Sequence, residues 1–296
     1  NTDLLNGAHL YVTLEPCAHF GKTPPCAETL AKLPLASVTF GLKDPNPQVT
    51  GKGIEILRKA GIEVKTIPEL NDDLENLAEV FLINMRKRRP FVALKVGVSL
   101  DGKMALATGE SQWITSTESR QYVQHLRGIY DAVLVGTNTF LKDDPKLSSR
   151  DEKFLSRTNR AIILDPDGRT FSSLTSSNFL KVRTPTSIFI VTKPSVVLPK
   201  ELAGIQQIKA NANPEFDWAE ILKILFEKQI CSILVEGGAF VFTSLLKQKA
   251  IDRVYTFVAP KLLGDGQSWT NGLQISKLGE APTLQRVRTQ TFGSDV

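Results

Sequence analysis

The sequence predicts an α/β protein of two domains, and three observations support this. Short apolar runs alternate with segments of helical periodicity, as in chains that build parallel sheets through crossover helices. The length of 296 residues suits about two domains of roughly 150 residues each. A basic cluster followed by Pro90 interrupts the alternation, so we place the domains at 1–88 and 89–296.

The first domain is predicted to alternate strands with helices from its start. Strands are predicted at 9–15, 36–41 and 62–66, and helices after Pro25, at 51–60 and at 71–85. The last helix ends in the basic cluster 86–89, which we interpret as a solvated helix end rather than as a nucleic-acid patch.

The second domain opens on a nearly continuous apolar run at 91–98, typical of a strand buried on both faces. Residues 115–118 offer a capping box to a helix that ends near Arg127. Further strands are predicted at 131–136, 160–165, 187–192, 232–236 and 253–260, and helices at 217–228 and 239–247.

Composition excludes several classes of protein. The chain is 42% hydrophobic and 23% charged, as average soluble domains are, and its 3 cysteines cannot form a disulfide framework. No stretch approaches the roughly 18 apolar residues of a membrane helix, and no signal peptide opens the chain, so we expect a cytoplasmic protein. The net charge of +5 is dispersed and suits small anionic ligands better than nucleic acid.

The densest chemical signal lies between Glu15 and Cys26, where a predicted strand ends and a helix begins. Cys17 and Cys26 would ionise readily at a helix N-terminus and could bind zinc as thiolates. Zinc that activates a water needs three protein ligands, so two thiols do not complete a site. His19 is expected to line the pocket rather than to bind the metal. The alternative is that both cysteines are small buried residues in a proline-rich turn.

The segment LYVTLEPCAHFGKTPPC, followed by DPNP at 44–47, resembles the cytidine-deaminase-like superfamily in the form carried by bifunctional deaminase/reductases of riboflavin biosynthesis. The resemblance implies a cytidine-deaminase-like α/β/α domain with zinc held by Cys17 and Cys26. The family's third ligand and catalytic glutamate belong to a His-Ala-Glu motif, which this sequence lacks. We expect that motif upstream of Asn1 in a longer protein; the alternative is a naturally inactive deaminase domain.

The second domain resembles the reductase half of the same family. The matching segments are FVALKVGVSLDGKMALATGESQWIT, DAVLVGTNTFLKDDPKLSSR, ILDPDGR and SILVEGGAFVFTSLL. The resemblance implies a dihydrofolate-reductase-like fold that binds NADPH. Independently, Glu236-Gly237-Gly238 ends a strand and opens a helix, which allows close backbone approach to a phosphate. No G-x-G-x-x-G motif follows a strand, which disfavours a Rossmann site.

The resemblance also implies the residues that contact each ligand. For the pyrimidine ribosyl phosphate they are Ser111, Arg127, Leu147, Arg150 and Glu236. For NADPH they are Gly97, Trp113, Thr139, Asp143, Gly238, Ala239, Phe240, Val241, Phe242, Thr243 and Ser244. Glu236 is the candidate for stabilising or protonating the opened sugar, and the two arginines could each present a bidentate fork to the phosphate.

The sequence therefore predicts two steps of riboflavin biosynthesis. The first is zinc-dependent hydrolytic deamination of 2,5-diamino-6-ribosylamino-4(3H)-pyrimidinone 5′-phosphate, and the second is NADPH-dependent reduction of its ribosyl side chain to ribityl. Reductase activity alone is the main alternative. A nucleic-acid-editing deaminase finds little support in the scattered aromatic residues, and a non-catalytic zinc scaffold is also open. We expect a small phosphorylated pyrimidine as substrate, no nucleic-acid or membrane partner, and, from the family, a homo-oligomer.

Overall fold

The computed structural model describes residues 2–21, 23–46 and 49–296, so Lys22 and Pro47 of the motifs above lie outside the described residues. The chain forms two compact units, Asn1–Arg88 and Arg89–Val296. No helix in the described ranges is long and apolar enough to cross a lipid bilayer.

The first unit is built on a small parallel sheet. Its strands are β1 (Ala8–Leu14), β2 (Leu35–Leu42) and β3 (Glu63–Thr66), and its helices are α1 (Cys26–Leu30), α2 (Lys52–Lys59), α3 (Asn71–Leu77) and α4 (Glu79–Lys87). Strand β2 lies in the centre and pairs in parallel with both neighbours. Val38, Leu57 and Ile62 are buried together and form the core between this sheet and α2.

The second unit, every residue of which is described, contains a parallel sheet of seven strands. These are β4 (Phe91–Ser99), β6 (Ala132–Gly136), β7 (Arg160–Leu164), β8 (Ile188–Thr192), β9 (Gln206–Lys209), β10 (Ser232–Val235) and β11 (Arg253–Ala259). Their order is β11-β4-β10-β6-β7-β8-β9, and all neighbours pair in parallel. Strands β5 (Lys103–Ala105) and β12 (Gln267–Ser268) form a separate antiparallel pair.

Helices flank this sheet and complete its core. They are α5 (Thr117–Ile129), α6 (Thr137–Asp143), α7 (Phe171–Leu174), α8 (Asn178–Lys181), α9 (Trp218–Glu227) and α10 (Ala239–Lys247). The indole of Trp218 is buried, and its Nε1 donates to Oγ of Ser244 at 3.0 Å, which ties α9 to α10. The central strands β6, β8 and β10 are buried at every position, as expected for parallel strands covered on both faces.

The predicted α/β architecture with a mainly parallel sheet is confirmed, with local differences. The helix predicted at 71–85 is two helices, because the backbone at Ala78 leaves the helical conformation at φ −100° and ψ 9°. Ser116 caps α5 by accepting from the amide of Ser119, so Glu118 is not at the position that a capping box requires. Helix α6 and strand β9 were not predicted, since both are short.

Candidate active site

A groove lies at the carboxyl ends of the parallel strands in the second unit. It encloses about 190 Å³ beside the ends of β6, β7 and β10. Its lining residues are Gly136, Thr137, Asn138, Thr139, Leu164, Pro166, Asp167, Arg169, Gly238, Phe240 and Val241. In open α/β sheets, ligands bind in crevices at this edge, so the groove is the natural candidate for a nucleotide.

The glycine pair after β10 shapes one wall of this groove. A Cβ at Gly237 would lie 2.7 Å from Oγ1 of Thr139, a distance that real side chains do not tolerate. Gly238 has φ +85°, in the left-handed region that favours glycine. These two glycines allow α10 to begin this close to α6. Four of the residues expected to contact NADPH line one groove as a result: Thr139, Gly238, Phe240 and Val241.

A largely buried ion pair joins α5 to the end of β10. Nε of Arg127 lies 2.6 Å from Oε1 of Glu236, and Nη2 lies 2.7 Å from Oε2, so the contact is bidentate. The two side chains are 15% and 7% exposed. The Arg127 guanidinium, which was expected to bind a phosphate, therefore binds Glu236. The same contact gives each carboxylate oxygen of Glu236 a hydrogen-bond donor.

Lys95 on β4 belongs to the same electrostatic cluster. Burial raises the pKa of Glu236, but Arg127 and then Lys95 outweigh that effect, so its pKa lies below the ordinary value and the carboxylate is ionised at neutral pH. The pKa of Lys95 is lowered, first by desolvation of its amine and then by Arg127, while Glu236 opposes the shift. The cluster thus combines a fixed anion with an amine that gives up its proton more easily than a free lysine does.

The loops around β4 hold other residues expected at the cofactor site. A Cβ at Gly97 would lie 2.9 Å from Cγ2 of Thr115, so the strand passes close to this loop. Trp113 is 63% exposed, and the Arg120 guanidinium lies 4.7 Å from the centre of its ring. Ser111 is half-buried nearby in sequence. Trp113 thus presents an accessible aromatic surface.

The segment after α6 carries Leu147 and Arg150, both expected at the substrate. Leu147 has φ +55°, its side chain is 1% exposed, and its carbonyl accepts from Nδ2 of Asn159 at 3.0 Å. Asn159 also donates to the carbonyl of Arg127, which ties this segment to α5. Arg150 is exposed, and only its backbone amide is fixed, by Oε1 of Gln124 at 3.2 Å.

Some expected cofactor residues do not present side chains to the groove. Phe242, Thr243 and Ser244 are buried, since the far side of α10 packs on the core. Thr243 donates to the carbonyl of Asn271, and Ser244 accepts from an indole, so both hydroxyls are used within the fold. Asp143, at the end of α6, is exposed and does not line the groove.

In the first unit, Cys17 and Cys26 lie side by side. The amide of Cys26 is 3.3 Å from Sγ of Cys17. The pKa of the Cys26 thiol is raised, mainly by its hydrogen bond with Cys17 and then by burial, contrary to the sequence expectation that it ionises readily. No group of three His, Cys, Asp or Glu side chains within the described ranges is arranged to hold a metal. The residues described here therefore do not fit zinc.

Three residues at the candidate site of the second unit were not predicted from the sequence. Lys95 interrupts the otherwise apolar run of β4, and a lysine in a central strand was a usable signal. Arg169 and Asn138 line the groove, and Arg169 ends the ILDPDGR segment directly after β7. That position, just beyond a strand end, was the signal for Arg169.

The parallel sheet, the glycine-walled groove at its carboxyl edge and the buried ion pair beside it define an α/β domain with a candidate ligand site at the carboxyl ends of its strands. The family described as RibD C-terminal domain matches residues 90–296. The riboflavin biosynthesis protein RibD of Aquifex aeolicus is 39% identical over 291 residues, which cover 98% of this chain and 79% of that protein. The chain therefore belongs to the RibD family.

Solved structures agree. Form 1 of Acinetobacter baumannii RibD has a TM-score of 0.84 at 34% identity and covers 99% of this chain and 80% of that one. The diaminohydroxyphosphoribosylaminopyrimidine deaminase/5-amino-6-(5-phosphoribosylamino)uracil reductase of Thermotoga maritima has a TM-score of 0.81 at 35% identity, covering 98% of this chain and 78% of that one.

Proposed function

We propose that the second unit is an NADPH-dependent reductase of riboflavin biosynthesis, which converts the ribosyl side chain of a phosphorylated aminopyrimidine to ribityl. The observation that carries this proposal is the cluster beside the glycine-walled groove, in which the bidentate Arg127–Glu236 ion pair lies near Lys95, whose pKa is lowered by burial. The similar Thermotoga maritima protein is named for this reductase activity, which fits the cluster and the groove.

The start of α10 supports binding of the cofactor in the groove. Gly237 leaves room for Thr139 where a Cβ would not fit, and Gly238 adopts φ +85° at the groove wall. We assign Thr139, Gly238 and Phe240 to the cofactor within the groove, and Gly97 and Trp113 to its reactive end. When bound, NADPH supplies the hydride for the reduction. The chain supplies orientation and charge.

Reduction at the sugar also requires a proton. Opening the ribosyl ring gives a carbon–nitrogen double bond at C1′, and adding a hydride to C1′ leaves the attached nitrogen one proton short. Lys95, whose pKa is lowered by burial, is suited to donate this proton from Nζ. The lysine is then neutral until it regains a proton from solvent.

Glu236 was expected either to stabilise or to protonate the opened sugar, and its electrostatics favour the first role. Because Arg127 keeps its pKa below the ordinary value, the carboxylate has no proton to give at neutral pH. A fixed anion instead stabilises the positive charge that develops when the imine nitrogen is protonated. Arg127 then acts through Glu236 as a positioning residue, and exposed Arg150 becomes our candidate for the substrate phosphate.

The test is Lys95→Met in the purified chain, followed by NADPH oxidation with the deaminated substrate. We expect kcat to fall by about 10²- to 10⁴-fold, the usual contribution of general acid catalysis. Wild-type kcat should decline as pH rises through the lowered pKa of Lys95, and this limb should be missing from the variant. Lys209→Met, at the exposed end of edge strand β9, is the control. Wild-type kcat in Lys95→Met would refute the proton-donor role.

Deamination stays a prediction from the motif around Cys17 and Cys26. The two thiols lie together, but no third ligand joins them within the described residues, so we derive no step through zinc. Ammonia release from the purified chain with added zinc measures this activity, and turnover comparable to the reductase rate would assign it to this chain. The homo-oligomeric state also stays a prediction.

A further inference from the structure

The segment at 146–150, which carries two residues expected at the substrate, turns sharply at Leu147. The backbone of Leu147 has φ +55°, in the left-handed region that residues other than glycine rarely adopt. Such a conformation is costly, and it persists only where the surrounding structure holds it in place. The groups that hold this turn therefore decide how the segment meets a substrate.

Hydrogen bonds fix the peptide groups on both sides of Leu147. The carbonyl of Lys146 accepts from Nε of Arg183 at 2.9 Å, and the carbonyl of Leu147 accepts from Nδ2 of Asn159 at 3.0 Å. Because each peptide group is planar, the orientations of these two planes set φ and ψ of Leu147. Arg183 and Asn159 together therefore determine the direction in which the chain continues toward Arg150.

Arg183 also fixes which way the Asn159 side chain faces. Its Nη2 donates to Oδ1 of Asn159 at 2.9 Å, and its Nη1 donates to the Asn159 carbonyl at 2.7 Å. The amide nitrogen of Asn159 then donates to the carbonyls of Leu147 and Arg127, both at 3.0 Å. A flipped amide would turn its oxygen toward those carbonyls and its N–H groups toward a guanidinium that only donates. Only one orientation of the Asn159 amide therefore satisfies its partners.

Arg183 is an energetically costly residue for a purely structural role. Arg183 is 6% exposed and Asn159 is 3% exposed, and none of the ion pairs among the described residues includes Arg183. Burial, and then the nearby Arg127, lower the pKa of Arg183 to about 10, so the guanidinium keeps its charge at neutral pH. Hydrophobic side chains of similar volume often stabilise a core as well as buried charges do. The cost indicates that this arginine is needed for the geometry it imposes.

The segment held in this way lies against the ion pair at the candidate site. Nη1 of Arg127 donates to the carbonyl of Ser148 at 3.4 Å, while Nε and Nη2 of the same side chain bind Glu236. Arg150 lies two residues beyond this contact and is exposed. The turn at Leu147 therefore joins the buried cluster to the arginine that we assign to the substrate phosphate.

We propose that Asn159 and Arg183 are positioning residues of the substrate site, which fix the turn at Leu147 and thereby aim Arg150 at the phosphate of the pyrimidine substrate. This inference rests on the proposed reductase function. Both residues act through the backbone of the segment, since their hydrogen bonds to it go to carbonyls. Neither lines the groove, so disturbing them should leave cofactor binding in place.

The test is a double-variant cycle on the full chain, measured as the KM of the phosphorylated substrate in NADPH oxidation. Asn159→Asp keeps an acceptor for Arg183, but it turns a carboxylate oxygen toward the two carbonyls that the amide held, so it should displace the segment. We expect substrate KM to rise about 10- to 100-fold with kcat changed by less than about threefold, as for lost binding remote from the reacting atoms. In an Arg150→Ala background, which has already lost the phosphate contact, the same change should raise KM by less than about threefold.

A second variant and two controls separate positioning from a loss of folding. The Kd of NADPH, measured by calorimetry, should be unchanged in Asn159→Asp. Arg183→Lys keeps the charge but not the planar fork, so it should raise substrate KM by a smaller factor, and it decides the proposal if Asn159→Asp does not bind NADPH. The matched control is Asn211→Asp, at an exposed position after β9, which should leave KM unchanged.

The outcomes distinguish the positioning role from the proposed function. Wild-type KM in both Asn159→Asp and Arg183→Lys would refute the positioning role, and the reductase function would stand. Fully additive increases of KM when Asn159→Asp is combined with Arg150→Ala would show that Asn159 does not act through Arg150, which also overturns the inference alone. If the wild-type chain does not oxidise NADPH with the substrate, the proposed function fails, and the inference fails with it.

Discussion

Two buried glutamates, Glu236 in the second unit and Glu15 in the first, have opposite surroundings. In the second unit, Glu236 has both oxygens on one arginine, and Asp295 and Asp165 accept several hydrogen bonds each. In the first unit, Glu15 is 2% exposed, yet neither of its oxygens has an aligned hydrogen-bond donor among the described residues. The pKa of Glu236 lies below its ordinary value, whereas that of Glu15 lies above it.

The difference shows that burial alone does not decide the charge of a carboxyl group. Desolvation raises the pKa of both groups, and only the partners differ. Near Glu15, the amides of Gly51, Asp44 and Ile54 are close enough to oppose the shift, but they do not reverse it. A buried anion is stable where a cation or several donors face it, and elsewhere it tends toward the neutral form.

The largest effect is expected from Arg127→Met, which leaves Glu236 buried without its cation. Removing one partner of a buried ion pair costs about 3–5 kcal/mol of unfolding free energy. Urea denaturation measures this loss of unfolding free energy. The control is Arg157→Ala, which breaks a half-exposed ion pair with Asp131 and should cost at most about 1 kcal/mol. The double variant Arg127→Met/Glu236→Met should recover much of the loss. A double variant as unstable as the single one would contradict the unpaired charge as the cause.

A smaller loss is expected from Asp295→Asn. Oδ2 of Asp295 accepts from the amide of Ser116 at 2.6 Å and from Oγ of Ser119 at 2.7 Å, which joins the C-terminal segment to the start of α5. Burial raises the pKa of Asp295, but these hydrogen bonds lower it overall. We expect a loss of about 1.5–3 kcal/mol at neutral pH, the contribution of charged hydrogen bonds.

The pH dependence of this variant follows from the sign of the shift. An acid with a lowered pKa stabilises the folded state above its unfolded pKa, here 3.8, and this stabilisation is lost as pH falls through the folded value. The difference between wild type and Asp295→Asn should therefore shrink below pH 3.8 in a urea series. A difference that persists in strong acid would mean that the charge is not involved.

The smallest effect, with the opposite sign, is expected from Glu15→Gln. Since the folded pKa of Glu15 is raised, its carboxyl group favours folding below the unfolded value and destabilises the first unit as pH rises through the folded one. A neutral amide should therefore gain about 1 kcal/mol at neutral pH. Hydrogen exchange in the first unit measures the gain, and exposed Glu69→Gln should be neutral. A destabilised Glu15→Gln would show that the Glu15 carboxylate is held as an anion by hydrogen-bond donors in the folded protein.

Much of the fold could be predicted because strands of a parallel sheet that is covered on both faces form continuous apolar runs in the sequence. Apart from Lys95 in β4, the strands β4, β6 and β8 are mostly apolar, since both faces are covered. Their bounds agree with the sequence patterns to within about two residues. The break between α3 and α4 at Ala78 was not predicted, because the apolar spacing continues across it. Short β9 escaped because four residues do not establish a period.

The candidate site was less predictable for a physical reason. Resemblance pointed to Arg127 and Glu236 separately, but not to the bidentate contact that joins them over 109 positions of sequence. A sequence also does not show that Asp167, which lines the groove, pairs with Lys193. Pairing between charges depends on which loops meet at the sheet edge.

The strand order has a consequence for how the second unit is made. β10 lies between β4 and β6, although β4 and β6 precede it by about a hundred residues or more in the chain. During synthesis, β4 is made long before either of its neighbours in the sheet, because β10 and β11 are both translated late. Such distant pairings slow folding and leave apolar edges uncovered in the meantime. Glu236 meets Arg127 only once β10 has been inserted, so the ion pair and the completed sheet should appear together.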